Sequence, residues 1–341
     1  MKTSEFDFNL PEELIAQTPL EDRTSSRLCV VNRSDSSITD THFDSIIDYL
    51  QPGDVLVRNN TKVIPARIYG LKPETGAHVE VLLLKDLGNN TWECLVGNSK
   101  VVKMDTELSF GDGLLTAKCV GRSDEGIRHL QFSYDGVFFE ILDKIGNMPL
   151  PPYIHEKLKD PNRYQTVYAK KEGSAAAPTA GLHFTQDLFA KIKEKGIEVV
   201  DVTLNVGLGT FRPMKTDTIE QHVMHSEEFE MSQEAADILN KAKSEGRRII
   251  AIGTTSVRVL ETVYSTHGCF KETKDATQIF IYPGYKWQAV DALITNFHLP
   301  KSTLFMLVCS FASKPLMLEA YNHCIDEKYR FFSFGDAMFI C

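Results

Sequence analysis

A change in the pattern of predicted strands and helices along the chain constrains its fold more than any other sequence feature. Between residues 61 and 147, short apolar or alternating runs are separated by turn sequences such as Gly88-Asn89-Asn90 and Gly111-Asp112-Gly113. Several short strands at such close spacing are typical of a small barrel or sandwich. The prolines of residues 148–153 then predict a stiff, extended exit from this region.

Beyond residue 155, predicted strands and helices alternate instead. Thr185, Ser232 and Ser302 are the expected N-cap residues of helices, and Gly196 is the expected stop of the first of them. Further strands are expected over 197–206, 248–252, 278–284 (QIFIYPG) and 291–297 (DALITNF). Such alternation implies a mostly parallel sheet with flanking helices.

These two patterns together predict an α/β fold whose mostly parallel sheet and flanking helices are interrupted by an inserted small β-barrel domain. The expected boundaries are 1–60 for the first part of the α/β domain, 61–150 for the barrel and 151–341 for the remainder. A chain of 341 residues is long enough for two domains.

The cysteines and the N-terminal sequence indicate the compartment. Seven cysteines are scattered without a C-x-x-C pair, which predicts reduced thiols and neither a disulfide framework nor a zinc site. The first residues carry acids where a signal peptide needs a basic region, and no apolar run is long enough to span a membrane. We expect a cytoplasmic protein without a membrane partner, either a monomer or a weak homo-oligomer.

The distribution of charge matters more than its sum. The formal net charge of −9 argues against bulk binding to nucleic acid, yet residues 155–171 hold five Lys or Arg against two acids. In this stretch Arg163, Tyr164, Tyr168 and Lys170 combine basic groups with rings, which suits phosphates and stacked bases. A weaker basic component comes from Lys62, Arg67, Lys100 and Lys103. The alternative for each of these side chains is an ordinary solvated surface.

Two predicted strand ends carry loops that suit a ligand. Glycines permit close backbone approach, and hydroxyls and N–H groups at a helix start hold an anion or a carboxylate. The candidates after the first strand are Gly207, Gly209, Thr210 and Phe211; those after the second are Thr254, Thr255, Ser256 and Arg258. Ligands gather at the carboxyl ends of strands in open α/β sheets. A plain strand–turn–helix cap is the alternative.

Histidines supply the remaining candidates. A run of small residues at 173–182 ends at His183, which suits a wall against a flat ligand, although a flexible linker is the alternative. His298 follows a predicted strand, and His222, His225 and Glu227 invite a metal site whose spacing matches no standard motif. A histidine acting as acid or base, or satisfied by hydrogen bonds, is favoured over metal binding. Aromatic groups such as the one containing Tyr282 are more typical of a core than of a ligand stack.

Long motifs in a fixed order give the chain a family resemblance. Over essentially its whole length it resembles the S-adenosylmethionine:tRNA ribosyltransferase-isomerases of queuosine biosynthesis. The matching stretches are 59–67 (NNTKVIPAR), 163–168 (RYQTVY), 177–184 (APTAGLHF), 206–213 (VGLGTFRP), 253–258 (GTTSVR), 295–300 (TNFHLP) and 330–338 (RFFSFGDAM).

The resemblance implies both a fold and a reaction. It implies an α/β domain with a β-barrel insert. It also implies that S-adenosylmethionine is consumed as a ribosyl donor, so that no cofactor and no metal are expected. The ribosyl portion is transferred to the 7-aminomethyl-7-deazaguanine at the wobble position of a tRNA anticodon arm. The products are epoxyqueuosine-tRNA, adenine and methionine.

This reaction assigns roles to the candidate residues. His183 is the first choice for the base, ahead of His225 and His298, because a neutral imidazole suits proton abstraction. Asp336 is a candidate polar partner for the ribose or the amine. Arg258 and the helix start at Thr254, Thr255 and Ser256 suit the methionine carboxylate, and Phe211 or Tyr282 suits the sulfonium.

The sequence departs from the family pattern at two places, and two other functions compete with the one that the resemblance implies. Asn205 stands where the family usually has His, and residues 96–100 (VGNSK) stand where relatives are more basic. One rival is a non-catalytic tRNA-binding protein of the same fold. The other is a metal-dependent hydrolase built on His222, His225 and Glu227.

Overall fold

The computed structural model describes residues 1–123, 126–207, 214 and 216–341. These residues form two compact units. One unit comprises Met1–Thr61, Pro152–Lys170 and Pro178–Cys341, and the other comprises Lys62–Pro151 and Lys171–Ala177.

Strands outnumber α-helices among the described residues. The strands are β1 Arg27–Val31, β2 Ile38–His42, β3 Val55–Asn59, β4 Thr61–Val63, β5 Arg67–Lys72, β6 Ala77–Gly88, β7 Thr91–Gly97, β8 Glu107–Phe110, β9 Leu115–Arg122, β10 Ile127–Ser133, β11 Lys171–Ser174, β12 Glu198–Leu204, β13 Glu227–Met231, β14 Ile249–Ile252, β15 Thr273–Thr277, β16 Ala292–Asn296 and β17 Ala337–Ile340. The helices are α1 Ile46–Tyr49, α2 Phe138–Ile145, α3 Gln186–Glu194, α4 Gln233–Ser244, α5 Gly253–His267, α6 Thr303–Ala312 and α7 Lys314–Asp326.

The large unit is built on a nine-stranded sheet with the order β15-β13-β12-β3-β14-β16-β17-β1-β2. Its central strands β12, β3, β14 and β16 are parallel, and β17 is parallel to β1. The other neighbours are antiparallel. The sheet is therefore mixed, and the prediction of a mostly parallel sheet is wrong. Helices α6 and α7, which meet at an angle of 114°, lie between β16 and β17 in the chain.

One predicted strand is also absent. The segment 278–284 (QIFIYPG) is not a strand, and the strand of this region, β15, ends at Thr277. The chain beyond it is held by a side chain, because the buried Glu261 carboxylate on α5 accepts from the Tyr285 hydroxyl at 2.9 Å and from the backbone N–H of Ala289 at 2.9 Å. These bonds hold the chain directly after the predicted strand.

The predicted helix caps are confirmed. The Thr185 hydroxyl accepts from the backbone N–H of Leu188 at 3.1 Å, and Ser232 and Ser302 cap α4 and α6 in the same way. Gly196, just beyond α3, has a φ of +82°, a left-handed conformation that ends a helix without the strain of a side chain.

The directions of the central strands decide where a site can form. Because β12, β3, β14 and β16 are parallel, their carboxyl ends meet at one edge of the sheet. The amino end of β17 lies at this same edge because β17 is antiparallel to β16. The amino end of β1 lies there too, because β1 is parallel to β17. We call this the carboxyl edge. The strands behind it belong to the core, and every residue of β14 and β16 is buried.

The second unit contains a closed antiparallel barrel with the order β10-β7-β6-β5-β8-β9. The predicted small barrel is confirmed. Helix α2 packs on it through Phe138, whose ring lies 5.7 Å from the Trp92 ring and 5.5 Å from the Phe132 ring. Gly70 is required where β5 meets β8, since a Cβ there would lie 2.4 Å from the Phe110 ring.

The length and composition of the helices bear on whether any of them could cross a membrane. Within the described ranges, no single helix is long and apolar enough to do so. Helices α6 and α7 meet the requirement only as a pair, with the 114° bend between them.

The pair Asp54–Arg248 yields a stability prediction. Asp54 is 2% exposed, and its carboxylate accepts two bonds from Arg248, at 2.9 and 2.6 Å. We expect Asp54→Asn to lower the free energy of unfolding by about 2–3 kcal/mol, because the amide leaves a buried donor facing a guanidinium. Urea unfolding measures the change.

A matched control is Asp7→Asn, which removes the charge from an exposed pair with Lys301. Its effect should stay below about 0.5 kcal/mol. Equal losses in the two variants would contradict a special contribution from Asp54.

Candidate active site

Polar side chains link the carboxyl ends of β3 and β12. Asn59, the last residue of β3, accepts from the Leu204 N–H at 3.0 Å and donates to the Leu204 carbonyl at 2.9 Å. The Thr61 hydroxyl donates to Asn205 Oδ1 at 2.8 Å. The side chain that departs from the family pattern, Asn205, is therefore part of this link between the two strands.

His183 lies at the same edge, in a short 3-10 turn over Thr179–His183. Its side chain is 5% exposed. Nδ1 lies 2.8 Å from Ser26 Oγ, just before β1, and Nε2 lies 3.1 Å from Asn296 Nδ2, at the end of β16. Both ring nitrogens are therefore fixed by residues of the sheet edge.

The neighbours of Asn296 determine which nitrogen of His183 carries the proton. Asn296 Nδ2 also donates to the Phe332 carbonyl at 3.1 Å, which identifies this atom as the amide nitrogen. His183 Nε2 must then accept, so the proton lies on Nδ1 and is donated to Ser26. The Ser26 hydroxyl in turn donates a hydrogen bond to the Arg23 carbonyl at 3.3 Å.

Burial controls the charge of two histidines at this edge. Desolvation lowers the pKa of His183 to about 3, and the cations of Arg23 and Arg330 contribute to this lowering. The ring of His298 is enclosed, although part of the residue reaches solvent, and burial lowers its pKa to about 3 as well. Its Nε2 lies 2.8 Å from the Thr295 hydroxyl. Both imidazoles are neutral at physiological pH.

A small cavity adjoins His183. Its volume is about 30 Å³, and Arg23, Ser26, Arg163 and Ser333 are among the residues that line it with His183. A bound water needs roughly 10–15 Å³ of such space, so this cavity holds about two waters and is too small for a nucleoside.

A second group of buried polar residues surrounds the start of α5. Arg258 is 7% exposed, and its Nη1 forms an ion pair with Glu227 Oε2. Glu227 Oε1 accepts from the Gly207 N–H at 3.0 Å, which links β13 to the chain beyond β12. Arg258 Nε and Nη2 have no hydrogen-bond partner among the described residues, and neither has the Thr255 hydroxyl. The carboxyl edge therefore holds a cation with spare donors.

Comparison with known proteins identifies the family. A model of the queuosine biosynthesis protein family matches residues 3–340. A crystal structure of S-adenosylmethionine tRNA ribosyltransferase from Thermotoga maritima is 39% identical to this chain, covers 99% of it and 100% of its own chain, and has a TM-score of 0.57.

The chain belongs to the queuosine biosynthesis protein family. The resemblance predicted from its motifs is confirmed.

Several of the site residues predicted from the sequence meet at the carboxyl edge of this member of the queuosine biosynthesis family. They are His183, Gly207, Thr254, Thr255, Ser256, Arg258, His298 and Asp336. Ser256 is fully buried, and its hydroxyl donates to the carbonyl of Ile252, the last residue of β14, at 2.8 Å. The predicted residues Gly209, Thr210 and Phe211 lie outside the described residues.

Asp336 is engaged by the backbone. Its two carboxylate oxygens accept from the N–H of Arg27 at 2.8 Å and of Arg330 at 2.7 Å. The side chain is 2% exposed, and burial raises its pKa. In this structure the Asp336 side chain connects the start of β1 to the start of β17. The predicted contact with the ribose or the amine would be made in addition to these two hydrogen bonds.

The three residues of the alternative metal site have different surroundings and bind no common partner among the described residues. His222 packs at 5.5 Å from the Phe280 ring, which lies 5.0 Å from the Tyr282 ring, and His225 is exposed. Glu227 is engaged by Arg258 and Gly207. Within the part of the chain that the structure describes, no group of three or more His, Cys, Asp or Glu side chains could hold a metal ion.

The residues predicted to bind tRNA separate into buried and exposed groups. Tyr164 and Tyr168 are 1% and 4% exposed, and the Arg58 guanidinium covers the Tyr168 ring at 4.3 Å. Neither ring is open to a base in this conformation. Arg163 donates to the carbonyls of Leu20 and Glu21 at 2.5 and 2.9 Å.

Among the predicted tRNA-binding residues of the large unit, Lys170 is the exposed one. Its amino group lies 3.5 Å from Asp201, and its side chain is 67% exposed. In the barrel unit, Lys62 pairs with Glu172 at 2.9 Å and Arg67 pairs with Glu80 at 2.7 Å. These two pairs reduce the local positive charge.

Sequence reasoning missed Ser26 and Asn296 as partners of His183 and Glu227 as the partner of Arg258. Asn296 stands in the motif at 295–300, two positions before the candidate His298. The sequence pattern indicates Glu227 only as a metal ligand. Nothing in the sequence around Ser26 distinguishes it from its serine neighbours.

The low pKa of His183 yields a prediction about stability. The unfolded imidazole binds a proton near pH 6.5, and the folded one only near pH 3, so the free energy of unfolding falls as the pH drops below 6.5. Between pH 8.0 and 5.5 the expected loss from His183 is about 1.4 kcal/mol. Urea unfolding at the two pH values should show this loss disappearing in His183→Gln.

The control is His267→Gln, an exposed histidine at the end of α5. The pH dependence of this variant should match that of the wild type. An unchanged pH dependence in His183→Gln would show that the folded imidazole is protonated as easily as the unfolded one.

Proposed function

We propose that this protein is an S-adenosylmethionine:tRNA ribosyltransferase-isomerase. It transfers and isomerises the ribosyl portion of S-adenosylmethionine onto the 7-aminomethyl-7-deazaguanine at the tRNA wobble position. The products are epoxyqueuosine-tRNA, adenine and methionine, and no cofactor is needed because S-adenosylmethionine is consumed. The observation that carries the proposal is the family match over residues 3–340, and the name of the Thermotoga maritima relative supports it.

The carboxyl edge is the proposed S-adenosylmethionine site. Its backbone and hydroxyl groups suit the polar parts of the substrate, and aromatic faces suit the sulfonium. The residues assigned to substrate binding are Gly207, Gly209, Thr210, Phe211, Thr254, Thr255, Ser256, Arg258 and Tyr282.

The reaction needs a base to take a proton beside the sulfonium or from the attacking amine. His183 is our first candidate, ahead of His225 and His298. Its imidazole is neutral at physiological pH, and Nε2 is the nitrogen that accepts. Burial lowers the pKa of this ring to about 3, so proton uptake at neutral pH requires substrate binding both to displace the Asn296 amide from Nε2 and to reduce the desolvation that lowers the pKa.

A product assay tests the proposed function. The protein is incubated with S-adenosylmethionine and a tRNA that carries the precursor base, and mass spectrometry follows both the modified nucleoside and free adenine. A non-catalytic tRNA-binding protein would bind the tRNA and release no adenine. A metal-dependent hydrolase would lose its activity with chelator and show metal by elemental analysis.

The role of His183 is tested in the same assay. We expect His183→Ala to slow single-turnover adenine release by at least roughly a hundredfold, since general-base catalysis contributes about that much or more. His267→Ala serves as the control, because this exposed histidine lies at the far end of α5. Release by His183→Ala within about threefold of wild type removes His183 from the role of base.

The proposed macromolecular partner is a tRNA anticodon arm, bound by the basic stretch 155–171 with contributions from Lys62 and Arg67. The wobble base must reach the carboxyl edge, and a local patch suffices for phosphate contacts despite the net charge of −9. We also propose a cytoplasmic location and a monomer or weak homo-oligomer, as the sequence predicts.

Lys170 offers the cleanest test of tRNA binding. A lost phosphate contact should weaken binding and reduce the slope of log K against log salt concentration by about 0.7–0.9. We expect this change in Lys170→Ala, measured by tRNA binding at several salt concentrations. Lys241→Ala, on α4 and 70% exposed, is the control that should leave the slope unchanged. Identical slopes in wild type and Lys170→Ala would exclude this contact.

Arg163 is a less direct probe. Its guanidinium holds the carbonyls of Leu20 and Glu21, so a substitution there changes the local fold as well as the charge.

A further inference from the structure

The start of α5 holds a buried cation that uses only part of its hydrogen-bonding capacity. Arg258 Nη1 is bound by Glu227, whereas Nε and Nη2 have no partner among the described residues. A buried donor without a partner costs free energy, because water bound it in the unfolded chain. The site therefore favours a ligand that supplies acceptors to these two nitrogens.

The geometry of the guanidinium specifies that ligand. The N–H bonds of Nε and of the nearer Nη nitrogen point in the same direction, and this edge matches the two oxygens of a carboxylate. Because Glu227 occupies Nη1, it leaves the Nε–Nη2 edge for a ligand. Lysine could not replace this edge, since its ammonium is a point charge without a planar fork.

The surroundings of Arg258 also favour an anion. Helix α5 runs for 15 residues from Gly253, and its first N–H groups lie at the carboxyl edge with the positive end of the helix dipole. The Thr255 hydroxyl in the first turn adds another donor without a partner in the described part of the chain. Arg258 lies three positions after Thr255 on α5, so the two side chains share one face of the helix.

Glu227 sets the charge balance of this site. With Arg258 it forms a neutral buried pair, and both residues are less than a tenth exposed. A simple anion would leave this pair with an excess negative charge. An α-amino-acid group would not, because its ammonium balances its own carboxylate.

We propose that the Nε–Nη2 edge of Arg258 binds the α-carboxylate of the methionine half of the sulfonium substrate, and that the protein thereby selects substrates that retain this carboxylate. The inference rests on the proposed function, which supplies a substrate with an α-amino-acid end. It makes Arg258 a specificity-determining residue that lies apart from the reacting ribose.

Decarboxylated S-adenosylmethionine is the probe, since it keeps the sulfonium, the ribose and the adenine and lacks only the carboxylate. The measurement is kcat/KM for adenine release with each of the two substrates. We expect the wild type to prefer S-adenosylmethionine by roughly a hundredfold or more, because a site built for hydrogen bonding rejects an analogue that leaves its groups unpaired.

Variants of Arg258 separate recognition from general damage. In Arg258→Ala, the ratio of kcat/KM for S-adenosylmethionine to that for the decarboxylated analogue should fall from roughly a hundredfold to less than about threefold, because general damage lowers both values and cancels in the ratio. Arg258→Lys keeps the charge without the fork and should show an intermediate preference. Arg247→Ala is the matched control, since Arg247 pairs with Glu198 and Glu245 at the other end of β14 and should keep the full preference.

Two results would overturn the inference. One is a wild type that uses both substrates within about threefold, a comparison that needs no variant to fold. The other is an Arg258→Ala or Arg258→Lys protein that keeps the full wild-type preference. Failure of the proposed function is distinct, because the wild type would then release no adenine from either substrate.

Discussion

Parallel pairing of β12, β3, β14 and β16 is the constraint on which the site depends. It places four strand ends at one edge, and each end delivers a polar group there: Asn205, Asn59, the start of α5 and Asn296. The antiparallel return of β17 adds Asp336, and β1 adds Ser26. Without this shared edge, the residues that surround His183 would lie far apart in space as they do in the sequence.

Burial determines the charge and the hydrogen bonds of the side chains at this edge. His183 is enclosed between Ser26 and Asn296 and stays neutral with a defined tautomer, and Arg258 is enclosed with Glu227 and keeps two donors without partners among the described residues. Neither arrangement would persist in water, where exposed side chains exchange partners freely. The buried strands of the sheet hold these groups in place by excluding solvent and alternative partners.

Some of this could be predicted from the sequence. Cap residues and turn residues act locally, so Thr185, Ser232 and Gly196 indicated correct helix ends, and the spacing of short strands indicated the barrel. Strand direction and side-chain burial depend on distant residues. The mixed sheet, the loop held by Glu261 and the buried ring of Tyr168 could therefore not be read from local pattern. The hydrogen bonds of His183 reach Ser26, 157 positions away, and Asn296, 113 positions away.

Glu227 binds two parts of the structure with one carboxylate, the Gly207 N–H through Oε1 and Arg258 through Oε2. A displacement of the chain at Gly207 therefore changes the free energy with which the cation is held. Linkage makes this relation reciprocal, so that an occupant on Arg258 acts back on the chain at Gly207 by the same amount. Gly207 and Arg258 are thus energetically coupled through one carboxylate, although 51 positions separate them in the sequence.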